Sequence, residues 1–221
     1  MRTGDNIGIL DLQTRTTFRA LVQMIIQPIE YIASTRGAVQ VEDAVLVKVY
    51  EYVIWTLDHS LAYTTEEQLN LNNSSMSTAT ARLLNTAAAY LIQSGQAKCP
   101  LDMRVFTKRT PFTYLSRSDR LRVITLLDCL DINLASLPTP YTNNPGLIRN
   151  MMDVLNQLTL FGYYSEWTAY GTTRFLPPDN RRLEYFPIGW CQSNYPGVAF
   201  GYRDLRGFLL KYPHKRSDHN G

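Results

Sequence analysis

The sequence predicts a mainly α-helical protein: a single-domain bundle of about five helices, closed by an irregular arm rich in Gly, Pro and Tyr. Three observations predict it. Apolar residues recur at three- and four-residue spacing through the first two thirds, as one buried helix face requires. Ser, Asn, Pro and Gly stand where those stripes begin and end. The composition then changes: seven of the 12 glycines lie from Gly162 onward, five of the 11 prolines from Pro177 onward, and seven of the 14 tyrosines between Tyr163 and Tyr212. In 221 residues this reads as one domain, with a helical core at 1–161, the arm at 162–212 and a flexible tail at 213–221.

The first helix carries Phe18, Leu21, Val22, Ile25, Ile26 and Ile29, after Thr16 or Thr17 as N-cap. Pro28 is expected to kink or end it near Gln27, because proline removes a donor and crowds the preceding turn. After a turn at Arg36-Gly37, a second helix is expected over about residues 41–63. Its apolar residues Val45, Leu46, Val49, Tyr52, Val53, Trp55 and Leu57 cover more than one face, which predicts a central helix. Its β-branched residues also suit a strand, but its length favours helix.

A polar segment at 64–75 leads to a third helix over 77–93, with Leu83, Leu84, Ala87, Ala88, Leu91 and Ile92 as its stripe and Gly95 as its stop. A fourth starts near Ser116 or Ser118 and presents Leu121, Ile124, Leu127 and Leu130. Pro138, Pro140 and Pro145 punctuate the next stretch. Asn144-Pro145 reads as an N-cap with proline at the first helical position. The fifth helix then carries Leu147, Ile148, Met151, Leu155 and Leu158 to Gly162. Beyond it no helical or strand period persists. The wealth of Trp, Tyr and Phe points to an ordered arm packed on the helices or on a partner.

Composition excludes several classes. A net charge of +3, from 22 basic and 19 acidic residues, argues against a large nucleic-acid face. Five charges within 41–63, the most apolar stretch, exclude a membrane span there. Cys99, Cys129 and Cys191 form no CxxC pair, which argues against a zinc site, an iron–sulfur cluster or a disulfide framework. The N-terminal residues show no signal-peptide pattern, so the expected location is cytoplasmic. Neither a GxGxxG or GxxxxGK phosphate loop nor a GxSxG elbow occurs.

Single residues offer little chemistry. His59 reads as a hydrogen-bonded structural histidine, and His214 and His219 belong to the tail. Asp128 and Asp131 read as an exposed acidic face, and Met151 and Met152 as core or interface. Arginine outnumbers lysine 17 to 5, and arginine tolerates burial at interfaces. Low charge (19% of residues) with many tyrosines therefore favours a partner surface in the arm over a merely larger core.

The most distinctive run is Phe186-Pro-Ile-Gly-Trp-Cys-Gln-Ser-Asn-Tyr195-Pro-Gly197. Its Gly-Trp, followed by aromatic-Pro-Gly, resembles the closing signature of the gluconate 2-dehydrogenase subunit 3 family. The segments at 21–28, 119–121 and 155–164 are similar to that family's helices at lower specificity. The resemblance implies a helical, non-catalytic small subunit. Its partner would be a large flavoprotein of the glucose–methanol–choline type, which holds FAD and oxidises a sugar or related alcohol. A cytochrome often takes the electrons onward. The family's twin-arginine leader is missing, and the stretch at 170–179 departs from its glycine-rich pattern.

On this reading the chain contributes no catalytic, cofactor-binding or metal-ligating residue to a hetero-oligomer. Trp190, Cys191, Tyr195, Pro196, Gly197, Tyr202, Arg203 and Arg206 are the candidate interface residues, since Trp, Tyr and Arg dominate interface hot spots. Cys191 reads as a small buried thiol, and an interchain disulfide there would need an oxidising compartment. Arg181 and Arg182 read as intrachain salt-bridge or partner-contact residues. Two other readings stay open: a stand-alone enzyme using Tyr, Asp and Arg side chains of the arm, or a scaffold or regulator of an unrelated complex.

Overall fold

The computed structural model describes residues 12–26, 48–59, 75–102, 110–193 and 195, with the backbone alone at 191–193. The fold is mainly α, and no strand occurs among the described residues. In chain order the helices are α1 Leu12–Ile25, α2 Val49–His59, α3 Met76–Gln93, α4 Pro111–Tyr114, α5 Arg117–Asp128, α6 Pro145–Tyr164 and α7 Ile188–Ser193. Short 3₁₀ turns stand at Leu134–Ser136, Glu166–Thr173 and Pro178–Asn180. The expected features at Pro28, Ile29, Arg36-Gly37, 41–47 and 60–74 lie outside the described residues.

Helix α1 packs on α2, α3, α4, α5 and α6. The sequence expects the second helix to be central. That helix does meet α1, α3, α6 and the 3₁₀ segment, so its many-sided apolar pattern has a cause. Phe18, Leu21 and Val22 of α1 have no exposed surface. Each such side chain contributes roughly 1.5–3 kcal/mol relative to an exposed one. The centre forms through contacts between helices far apart in the chain, which one helix's periodicity does not encode.

Two boundaries differ from the sequence expectation. Thr16 and Thr17 lie inside α1 rather than capping it. Their hydroxyls donate to the carbonyls of Leu12 (2.6 Å) and Gln13 (2.9 Å) one turn back. The second helix starts only at Val49, because Lys48 adopts a left-handed φ of 58° that interrupts helical continuity.

The third helix matches its signals closely. The Ser75 hydroxyl accepts the Thr78 N–H, and Asp58 of α2 accepts both the N–H and the hydroxyl of Ser77 at 2.8 Å. At its other end Gly95 takes φ 68°. The Gly95 N–H donates to Ile92 O and the Gln96 N–H to Leu91 O, which closes a Schellman motif. Its buried Asn85 ties three elements together. The Asn85 amide donates to Thr17 Oγ1 and Ala81 O, and its carbonyl accepts the Phe112 N–H at the start of α4. A buried amide so satisfied fixes the register of α1 and α4 on α3.

Of the stripe expected for the fourth helix, Leu127 is buried and Ile124 and Leu130 pack against the core, but Leu121 does not. Val123, Leu126 and Leu127 are buried in α5, whereas Leu121 is 57% exposed. Leu130 occupies the left-handed position (φ 62°) of a second Schellman motif, where the Asp131 N–H donates to Leu126 O. It caps the helix and packs against the core. Helix α6 starts as expected, with Asn144 Oδ1 accepting the Leu147 N–H and Pro145 at the first position. It runs past Gly162 to Tyr164. The glycine is internal because α2 presses on it: a Cβ there would lie 2.5 Å from Tyr52 Cδ1 and 3.2 Å from Val49 Cγ1.

Candidate functional site

The arm is ordered through its described part and built around Trp167. The Ser165 hydroxyl caps the 3₁₀ segment Glu166–Thr173 by accepting the Trp167 N–H. The Trp167 ring meets Tyr52 edge-on (centroids 5.2 Å apart), Phe175 edge-on (5.4 Å) and Trp55 at 6.0 Å. Arg181 lies over Trp55 at 5.4 Å and Tyr170 at 5.9 Å. Among the described residues Arg181 thus pairs with aromatic faces rather than with a carboxylate. His59 stacks on Trp55, and its Nδ1 lies 2.7 Å from Trp55 O, as a structural histidine should.

Two devices hold the arm in shape. Ala169 O accepts the N–H groups of Glu184 (2.8 Å) and Tyr185 (3.1 Å), and the Glu184 carboxylate accepts the N–H and hydroxyl of Thr172. Those Thr172 bonds hold the Glu184 carboxyl below its ordinary range. Gly171, with φ 51°, permits that closure, since a Cβ would run into Glu184. At its base, Arg174 pairs with Glu51 of α2 at 3.6 Å, and Glu51 also binds Arg15 of α1 at 3.3 Å. Glu51 is 8% exposed, so this ion pair bolts the arm to two helices from within.

The motif that carried the resemblance has a packing role at its start. Gly189 opens α7 against the end of α6, where a Cβ would overlap the backbone carbonyl of Tyr164. Trp190 then meets Phe186 edge-on (5.7 Å) and Tyr195 (5.1 Å), and the Tyr195 N–H donates to Trp190 O. Trp190 is half-buried and Tyr195 is exposed. Only the backbone of Cys191 is described. Pro196, Gly197, Tyr202, Arg203 and Arg206 lie outside the described residues.

What the structure adds is a surface. Phe161 and Tyr164 at the end of α6, with Tyr185, Phe186 and Tyr195 of the arm, are exposed large aromatics; Phe161 is 62% and Tyr185 66% exposed. Among the described residues of the arm, Glu166, Asp179 and Glu184 stand against Arg174, Arg181 and Arg182. Phe186 and Tyr195 are linked through Trp190, so these exposed rings stand on a firmly held base. The candidate interface residues read from the sequence included Trp190 and Tyr195 but not Phe161, Tyr164, Tyr185 or Phe186, although Phe186 opens the run. The end of the α6 stripe was the signal for Phe161: it falls off the buried face at helical spacing.

Enzyme-like chemistry has less to stand on. Tyr170 donates to Glu166 Oε2 at 2.8 Å, and burial together with that carboxylate pushes its phenol above the ordinary range. Such a tyrosine stays protonated at neutral pH. Asp179 lies exposed on the separate turn Pro178–Asn180. Asp128 and Asp131 are both exposed. Among the described residues no group of three or more His, Cys, Asp or Glu is placed to hold a metal ion, and no helix is long and apolar enough to cross a membrane. Comparison with family models, curated proteins and solved structures yields no match to this chain.

Proposed function

We propose that this chain is a non-catalytic partner subunit. It binds and stabilises the large FAD-containing subunit of an oxidoreductase of the glucose–methanol–choline type, which oxidises a sugar or related alcohol. The observation that carries the docking part is the exposed aromatic surface of Phe161, Tyr164, Tyr185, Phe186 and Tyr195. Solvent-exposed rings lose unfavourable hydration when a partner covers them, and Phe186 and Tyr195 are joined through Trp190. The identity of the partner rests on the Gly189-Trp190 and Tyr195-Pro-Gly197 motif and its resemblance to the gluconate 2-dehydrogenase subunit 3 family.

The test is isolation of the tagged chain from its own cells. The expected result is a stoichiometric large protein with a flavin absorbance spectrum, lost when Tyr185 and Phe186 are both replaced by Ala. Turnover by the isolated chain, free of flavoprotein, would instead establish the stand-alone enzyme. A stable partner without flavin would establish the scaffold.

A further inference from the structure

No described residue of the arm lines a second surface, where α1, α5 and α6 leave an open groove of about 240 Å³. Met24, Leu121, Ile124 and Met152 supply apolar lining, and Asp128 and Asp153 stand among the lining residues. Leu121 is 57% exposed, a large apolar side chain that the packing of α5 does not use. The groove is smaller than the roughly 300–1,000 Å³ of sites for drug-sized ligands, so it suits inserted side chains rather than a cofactor. Methionine on two sides lets its walls adapt.

Charge selects the occupant. Both carboxylates are exposed, and the lining contains no cation. Neither carboxylate has an ion-pair partner among the described residues. The pairs formed there are Arg15–Glu51, Arg122–Asp119 and Arg174–Glu51. Arg149 gives its Nε to the backbone carbonyl of Asp128 rather than to the carboxylate. From this we infer that the groove receives an amphipathic helix of a partner protein, with an apolar side chain in the groove and Lys or Arg on Asp128 and Asp153. A long cationic side chain suits both parts, since its aliphatic stem lies on apolar surface while its head meets a carboxylate. Peptide recognition of this kind reuses helix-in-groove packing.

This inference does not depend on the flavoprotein reading. The probe is a fluorescent amphipathic peptide of Leu and Lys, titrated into the full chain, beside an analogue with every Lys replaced by Glu. The Leu/Lys peptide is expected to bind at least about tenfold more tightly, with the preference weakening as salt rises. Asp128→Lys with Asp153→Lys should remove that preference, and Leu121→Glu should remove binding. All three positions are exposed, and the milder Asp128→Asn with Asp153→Asn pair gives an intermediate loss if the lysine pair fails to fold. Tyr185→Ala with Phe186→Ala should leave peptide binding unchanged, which separates failure of the groove from failure of the arm. Equal binding of both peptides, or an unchanged preference in the aspartate variants, overturns the inference. So does self-association of the chain that Leu121→Glu abolishes, because the occupant is then a second copy.

Discussion

Asp119 shows how much one side chain organises. It has no exposed surface, yet its carboxylate accepts the N–H groups of Lys98 (3.1 Å) and Cys99 (2.9 Å), the Ser116 hydroxyl and Arg122. Burial alone would raise its pKa from the ordinary 3.8, but these donors outweigh burial and the net direction is down. A carboxyl with a folded-state pKa below its unfolded one adds stability above the unfolded value, and that stability is lost as pH falls through the folded value. Asp119→Asn is therefore expected to lower stability near neutral pH and to flatten its dependence below about pH 4, as urea titrations at several pH values would read. The cost is about 1–2 kcal/mol, because an amide keeps part of this hydrogen-bond set while losing the charge. Arg120 plays the complementary part on the same helix. It donates to the carbonyls of Phe112, Ala20 and Thr113, and burial lowers its pKa while Asp102 opposes that. Lys98, Cys99 and Ala20 were not legible as partners, since only the fold brings them to this helix, whereas Ser116 and Arg122 lie three residues from Asp119 on it.

Elements were legible where local chemistry decides them. Ser116, Asn144-Pro145 and Gly95 mark real helix ends because each supplies a hydrogen bond or a backbone angle that any helix needs there. Lys48 and Leu130 mark ends too, but with side chains that carry no signal for a left-handed angle. Tertiary packing holds Leu130 in place, since it packs against the core. Close approach of α2 and α6 at Gly162 gives a direct test. Gly162→Ala puts a methyl into the Tyr52 ring and is expected to cost about 1–3 kcal/mol in thermal or urea unfolding. The arm has its own anchor in Arg174–Glu51. Glu51→Gln leaves Arg174 partly buried without its countercharge, so hydrogen exchange in residues 166–185 should speed up more than in α3. An equal rise in both regions would mean that the pair supports the bundle rather than the arm.

At the scale of the whole molecule, the protein divides its work between a packed bundle and a clasped aromatic arm. The bundle was readable because a buried stripe repeats every 3.6 residues, whichever helix it meets. The arm was readable only as a change in composition, because turns, 3₁₀ segments and ring contacts have no period. Of the eight expected interface residues, Trp190 and Tyr195 are placed together by ring packing, and Trp190 also supports Phe186. The exposed neighbours Tyr185 and Phe186 are better probes of docking, since Trp190 holds the fold of the arm as well.

Docking of this aromatic surface on a flavoprotein is tested most directly by one affinity. It is the affinity between the chain and the large protein that copurifies with it, measured for wild type and for Tyr185→Ala with Phe186→Ala. The expected result is a flavin-containing partner and a loss of about tenfold or more, as truncating hot-spot aromatics gives, with the thermal melt of the chain unchanged. A flavin-free partner, or an affinity that ignores both substitutions, would contradict it.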